Sequence, residues 1–253
     1  MPSRFLHRNR LVSFLIFTVI VVFLPISGYS QGRTHLDAGK AAQRRGDFDA
    51  AIESFTLAIQ SGDLSNANLA VTYTNRGLAY DRKGDNERAI RDFNEAIRLN
   101  PNLAGAYTGR GRTRFFVAQF QAAQEDFKRA LELNPTYPYD AIWLYLARAR
   151  AGQDGRAELA ASVERLKFVG VTEQIVSLFL GKTTTDDLFL VAKNSDPKKQ
   201  KENLCEAQYY TGQYVLLRGN KSEARKLFSN AVETCPTDFV EYFGAQAELK
   251  RLM

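Results

Sequence analysis

Two adjacent stretches of this chain repeat one another at a shift of 34 residues, and a fixed period of that length rules out most folds at once. Aligning Ala70 to Pro101 with Ala104 to Pro135 pairs Tyr73 with Tyr107, Gly77 with Gly111 and Ala89 with Ala123. It also pairs Phe93 with Phe127, Ala96 with Ala130 and Pro101 with Pro135. The small residues belong where two antiparallel helices cross, since a larger side chain there would hold their axes apart. Phe93 then fills the space between hairpins, and Pro101 ends the second helix because it cannot extend the hydrogen-bond ladder.

The series of an aromatic, Gly, Tyr, Ala, Phe, Ala and Pro resembles the tetratricopeptide-repeat family. The first copy carries all seven, and the second departs only by placing Arg114 where a tyrosine belongs. A weaker copy precedes them in Gly39, Gly46, Ala51, Phe55 and Ala58, followed by a longer polar turn over Ser61 to Asn68. A fourth comprises Gly212, Gly219, Ala224, Phe228, Ala231 and Pro236, and a helix over Phe239 to Leu252 follows to cap the last exposed face. Between them the pattern degrades into helices expected near Ala141–Ala151, Ala157–Phe168, Thr172–Leu180 and Thr185–Ala192. The expected fold is therefore all-α: a solenoid of helical hairpins with a non-canonical helical insert and a C-terminal capping helix. Its divisions are residues 1–30, a leader; 31–137, three repeats; 138–203, a degenerate repeat and insert; and 204–253, the last repeat and cap.

The order of features is similar to a narrower group, the NlpI-type envelope proteins. The likeness rests on Tyr139 to Ala147, on Ile175 to Lys182, on Tyr209 to Gly212 before the final repeat, and on the closing Asp238 to Leu249 segment. The resemblance implies a helical, often dimeric adaptor on the periplasmic side of a Gram-negative membrane, presenting peptidoglycan hydrolases to a protease. The lipid-bearing cysteine of that group is missing, so outer-membrane tethering does not carry over.

The leader has its own composition. Arg4, Arg8 and Arg10 precede an uncharged run from Leu11 to Leu24, and Pro25 to Ser30 adds a helix breaker and small residues. This reads as a signal peptide cleaved after Ser30, with an uncleaved inner-membrane anchor as the alternative. Localisation is accordingly expected to be periplasmic or secreted, with membrane contact only through the N-terminal segment. The leader's three arginines account for half of the net charge of +6, so nucleic acid is not an expected partner. With 45% hydrophobic and 25% charged residues, the remainder has an ordinary globular composition.

Catalytic groups are sparse. His35 is the single histidine outside the leader, which disfavours imidazole triads and multi-histidine metal sites, and no glycine-rich phosphate loop occurs. No cofactor, metal or catalytic residue is expected. A carboxylate hydrolase remains as an alternative, requiring two acids that converge in a cleft; Asp186 and Asp187 instead read as a helix start. A clientless structural homo-oligomer is a third reading. Cys205 and Cys235 stand near neighbouring ends of the last hairpin's helices, where a disulfide, two buried thiols or part of a metal site could form. Trp143, among Tyr139, Tyr145 and Leu146, reads as core, and Lys198, Lys199 and Lys201 as a solvated loop or helix start.

The repeat family lines its concave face with fixed positions of each first helix. By that resemblance the groove includes Lys40, Arg44, Asn75, Arg82, Arg112, Phe115 and Phe116. Basic groups beside aromatics suit an extended or helical peptide of acidic character or with a free carboxylate. The expected partners are proteins or peptides.

Overall fold

A computed structural model describes residues 30–253. The expected leader lies outside these residues, apart from Ser30. Ser30 itself caps the first helix by accepting a hydrogen bond from the Arg33 backbone N–H. Among the described residues the secondary structure is thirteen α-helices, and none is long and apolar enough to cross a membrane.

Three hairpins come first: α1 (Gln31–Arg44) with α2 (Phe48–Gln60), α3 (Asn66–Arg82) with α4 (Asn86–Leu99), and α5 (Ala104–Phe116) with α6 (Phe120–Leu133). Local chemistry sets the starts of several of these helices. Asp47, Ser65 and Asp85 each accept a backbone N–H of the first turn, satisfying a group that has no intrahelical partner. The turn inside each hairpin needs a left-handed residue, supplied by Gly46 and Gly84 at φ 75°. In the third hairpin that place is held by Ala118 at φ 62°.

The repeat motif acts as its residue types require. A methyl group on Gly77 would lie 3.0 Å from the Phe93 ring and 3.2 Å from the Ala89 carbonyl oxygen. On Gly109 it would approach the same ring to 2.5 Å, so Phe93 is locked between its own hairpin and the next. Phe55, Phe93, Phe127 and Phe228 are fully buried at equivalent places. Each contributes about 1.5–3 kcal/mol by leaving water.

A second repeating device joins the helices of a hairpin. Arg76 forms a two-pronged ion pair with Asp92 at 2.8 and 2.9 Å. One period later Arg110 pairs with Asp126, which also accepts from Arg114 at 2.7 Å. Thus Arg114 replaces the motif tyrosine with a further charge on a buried carboxylate. Asp92 and Asp126 are only 6% and 2% exposed, and removing one partner from such a pair costs about 3–5 kcal/mol.

Helix α7 (Pro138–Arg150) packs on α6 and places Trp143 in the main core. Its ring meets Phe115 edge-on at 5.2 Å and stacks on Phe127 at 6.0 Å. Helices α8 (Arg156–Arg165), α9 (Val171–Phe179) and α10 (Thr185–Ala192) follow. At the start of α10, Thr184 and Asp187 form a reciprocal capping box, the helix-start role expected for that acidic pair. Helix α11 (Pro197–Leu217) begins seven residues before the 203/204 division and crosses it. Asp196 accepts from the Lys198 and Lys199 N–H groups, and Pro197 fits the first turn, so the lysine run is a helix start.

Helix α12 (Lys221–Thr234) completes the last hairpin, and Cys205 and Cys235 form a disulfide across it with a Cα–Cα separation of 4.6 Å. Helix α13 (Val240–Leu252) packs on α12, α11 and α5. It therefore caps the last hairpin and also reaches back to the third. Arg251 donates to the Phe115 and Phe116 carbonyls at 3.3 and 2.9 Å. Glu248, 1% exposed, accepts from Arg150 at 2.6 Å and Gln213 at 3.0 Å.

Candidate peptide-binding groove

Three cavities adjoin the concave helices, and Arg82 lines all of them. The first, about 330 Å³, lies between α1 and the start of α13 and is lined by Lys40, Gln43, Arg44, Phe48, Arg82 and Asp238. The second, about 220 Å³, is bounded by Arg82, Thr108, Arg112, Tyr137, Tyr139, Trp143 and Glu206, with Phe239, Val240 and Glu241 from the far side. The third, about 530 Å³, opens between the hairpin turns and α13; Phe116 and Phe243 face it together with Lys83, Lys250 and Arg251.

Helix geometry explains how the expected groove residues divide. Lys40, Arg44, Arg82, Arg112 and Phe116 line these cavities. Asn75 is half-buried on α3 and lines none of the three. Phe115 is a correction: it is fully buried against Trp143 and contributes nothing to the groove surface. Consecutive helical residues are about 100° apart, so Phe115 and Phe116 cannot share one direction.

Charge is arranged as two poles. Burial, with the nearby charge of Arg112, lowers the Arg82 pKa to about 10. The Arg82 guanidinium lies 4.7 Å from the Phe243 ring centroid. A terminal nitrogen of Arg82 and Nε of Arg112 are buried without a hydrogen-bond acceptor. Opposite them, Glu206 accepts from the Tyr139 hydroxyl at 3.1 Å and Glu241 from Tyr210 at 3.3 Å. Burial and the charge of Glu241 raise the Glu206 pKa to about 7; burial also pushes Glu241 up. Asp140 rises to about 6 through burial, opposed by the hydrogen bond from Thr108 at 2.9 Å.

Position counting missed the contributions of α13 and the two residues before it: Asp238, Phe239, Glu241, Phe243, Lys250 and Arg251 all line a cavity. The charges at Glu241, Lys250 and Arg251 were visible, but a capping role accounted for them and no periodicity links them to α3. Among the described residues no group of three or more metal-ligating side chains comes together.

Residues 70–103 and 104–137 match two family models, both described as tetratricopeptide repeat. Among solved structures, the first repeat domain of Spaghetti (RPAP3) bound to the HSP90 peptide SRMEEVD is 28% identical. That match covers 49% of this chain and 97% of the other, with a TM-score of 0.46. The TPR2B domain of yeast Sti1, in its pHsp70 complex, is 24% identical over 46% of this chain and 94% of its own, with a TM-score of 0.42. The MamA protein is 22% identical and covers more, 80% of this chain and 91% of its own, with a TM-score of 0.43. Residues 70–137 are thus a pair of tetratricopeptide repeats, the family to which this part of the chain belongs.

Proposed function

We propose that the chain is an exported adaptor that holds an extended, acidic segment of a partner protein along the cavities meeting at Arg82. The observation carrying this reading is that Lys40, Arg44 and Arg82 face one cavity, with Asp238 the single acid on its lining. Arginine offers a planar fork to carboxylates, and several cations on one lining favour a run of acidic side chains. Because α13 stands across the concave face, an extended segment fits the space better than a helix about 10–12 Å wide.

The cell-envelope setting rests on the leader and on the NlpI-type resemblance. On that basis the clients are an envelope protease or peptidoglycan hydrolases, and the working unit is a homodimer. Glu206 and Glu241 supply the converging acids that a carboxylate hydrolase needs. Both are pushed upward, however, whereas such catalysis needs one carboxyl held as acid and the other kept ionised.

The test is the double substitution Lys40→Glu with Arg44→Glu, both on the outer part of the groove. Fluorescence polarisation with acidic peptides should show affinity falling by about tenfold or more, at unchanged helicity. Unaltered binding would overturn the groove assignment. Crosslinking in intact cells should capture envelope proteins, and a partner set without any would remove the export reading.

A further inference from the structure

The cavity of about 220 Å³ is lined by charged groups that no ion pair among the described residues engages. On one wall, two guanidiniums sit close enough for Arg112 to disfavour the charge on Arg82. Each has a buried nitrogen with no acceptor, and no ion pair within the described residues engages either one. On the other wall, Glu241 disfavours the charge on Glu206. One oxygen of each accepts a tyrosine hydroxyl; Arg112 and Arg82 favour the charge on Glu241 through space, but among the described residues no cation forms an ion pair with either carboxyl. A polar group buried without a partner is costly, and more so when charged.

A ligand with a single charge relieves one wall only. A ligand bearing a carboxylate and an ammonium on the same carbon atom relieves both, and adds no net charge to a desolvated space. The volume is below the range of about 300–1,000 Å³ usual for drug-sized ligands, so the occupant is smaller. Tyr137 and Phe239 provide apolar surface for a side chain. We propose that this cavity binds a free α-amino acid, with its carboxylate on Arg82 and Arg112, its ammonium on Glu206 and Glu241, and an apolar or aromatic side chain against Tyr137 and Phe239.

This assignment shares Arg82 with the acidic-peptide groove but can be tested apart from it, because the residues that begin that groove, Lys40 and Arg44, do not line this cavity. The experiment is isothermal titration of the purified chain with L-phenylalanine, L-leucine and glycine, then with N-acetyl-L-phenylalanine and L-phenylalaninamide. The free apolar amino acids should bind, glycine more weakly, and blocking either charge should weaken binding by about tenfold or more. Equal binding of the acetylated compound would make this a plain anion site, equal binding of the amide a plain cation site, and silence from all free amino acids would leave no site; each overturns the proposal. Arg112→Gln and Glu206→Gln should each reproduce the loss at unchanged circular dichroism. Should either variant fail to fold, the blocked-ligand series on the unaltered chain still decides. The Lys40→Glu/Arg44→Glu chain should retain amino-acid binding, which separates this proposal from the peptide reading.

Discussion

Glu206 offers a stability measurement whose sign and size follow from its surroundings. Its pKa rises from an ordinary 4.5 to about 7, because burial and the neighbouring Glu241 oppose ionisation more than the Tyr139 hydrogen bond favours it. Between those values the folded chain holds a proton that the unfolded chain has released. Stability from this group is therefore present at low pH and is lost as pH rises through about 7. Replacing Glu206 by Gln keeps an oxygen to accept from Tyr139 and removes the charge. Converting the shift at 1.36 kcal/mol per tenfold, and allowing for water reaching the cavity, gives a gain of about 1–3 kcal/mol at pH 8. Near pH 3 the carboxyl is neutral in both the folded and the unfolded chain, and the gain should be close to zero. For a chain of this size, the pH 8 gain raises the melting temperature by roughly 2–12 °C. Thermal unfolding followed by circular dichroism at both pH values measures it. A variant whose stability changes with pH just as the parent's does, or that melts lower at pH 8, would refute the reasoning.

Two further outcomes test the scaffold. Ala118→Gly should raise stability by about 0.5–1 kcal/mol in urea denaturation, since Ala118 alone among the non-glycine described residues occupies a positive φ, at 62°. Reducing the Cys205–Cys235 bridge, which spans a sequence separation of 30, should lower stability by about 3–4 kcal/mol; denaturation curves with and without reductant that superimpose would contradict this.

The hairpins were legible because their determinants are local or periodic. Gly77, Ala89 and Phe93 announce a helix crossing within seventeen residues, and their copies a period later confirm the unit. The Arg76–Asp92 and Arg110–Asp126 pairs also recur at that period, but charges on a helix read equally well as solvent-facing, and only burial distinguishes the two. Assigning Phe115 to the groove failed because a positional rule for a whole family ignores the ring that each chain places behind the helix; here Trp143 draws Phe115 inward. The disulfide was one of three open readings, and the pairing of α11 with α12 brings the two sulfurs together. The site's second wall was hidden for a different reason. Glu241 and Arg112 are distant in sequence, and nothing in either segment specifies that they meet.

The return of α13 to α5 changes how such a stack behaves mechanically. A repeat array in which each unit touches only its neighbours resembles a spring: it can alter its pitch and can lose units from an end one at a time. Here Arg251 grips backbone carbonyls 135 and 136 positions earlier, while Glu248 ties the same helix to Arg150 and Gln213. The spring is clasped. Fraying of the last hairpin must release the third as well, so elasticity is exchanged for a single cooperative body with a groove of fixed width.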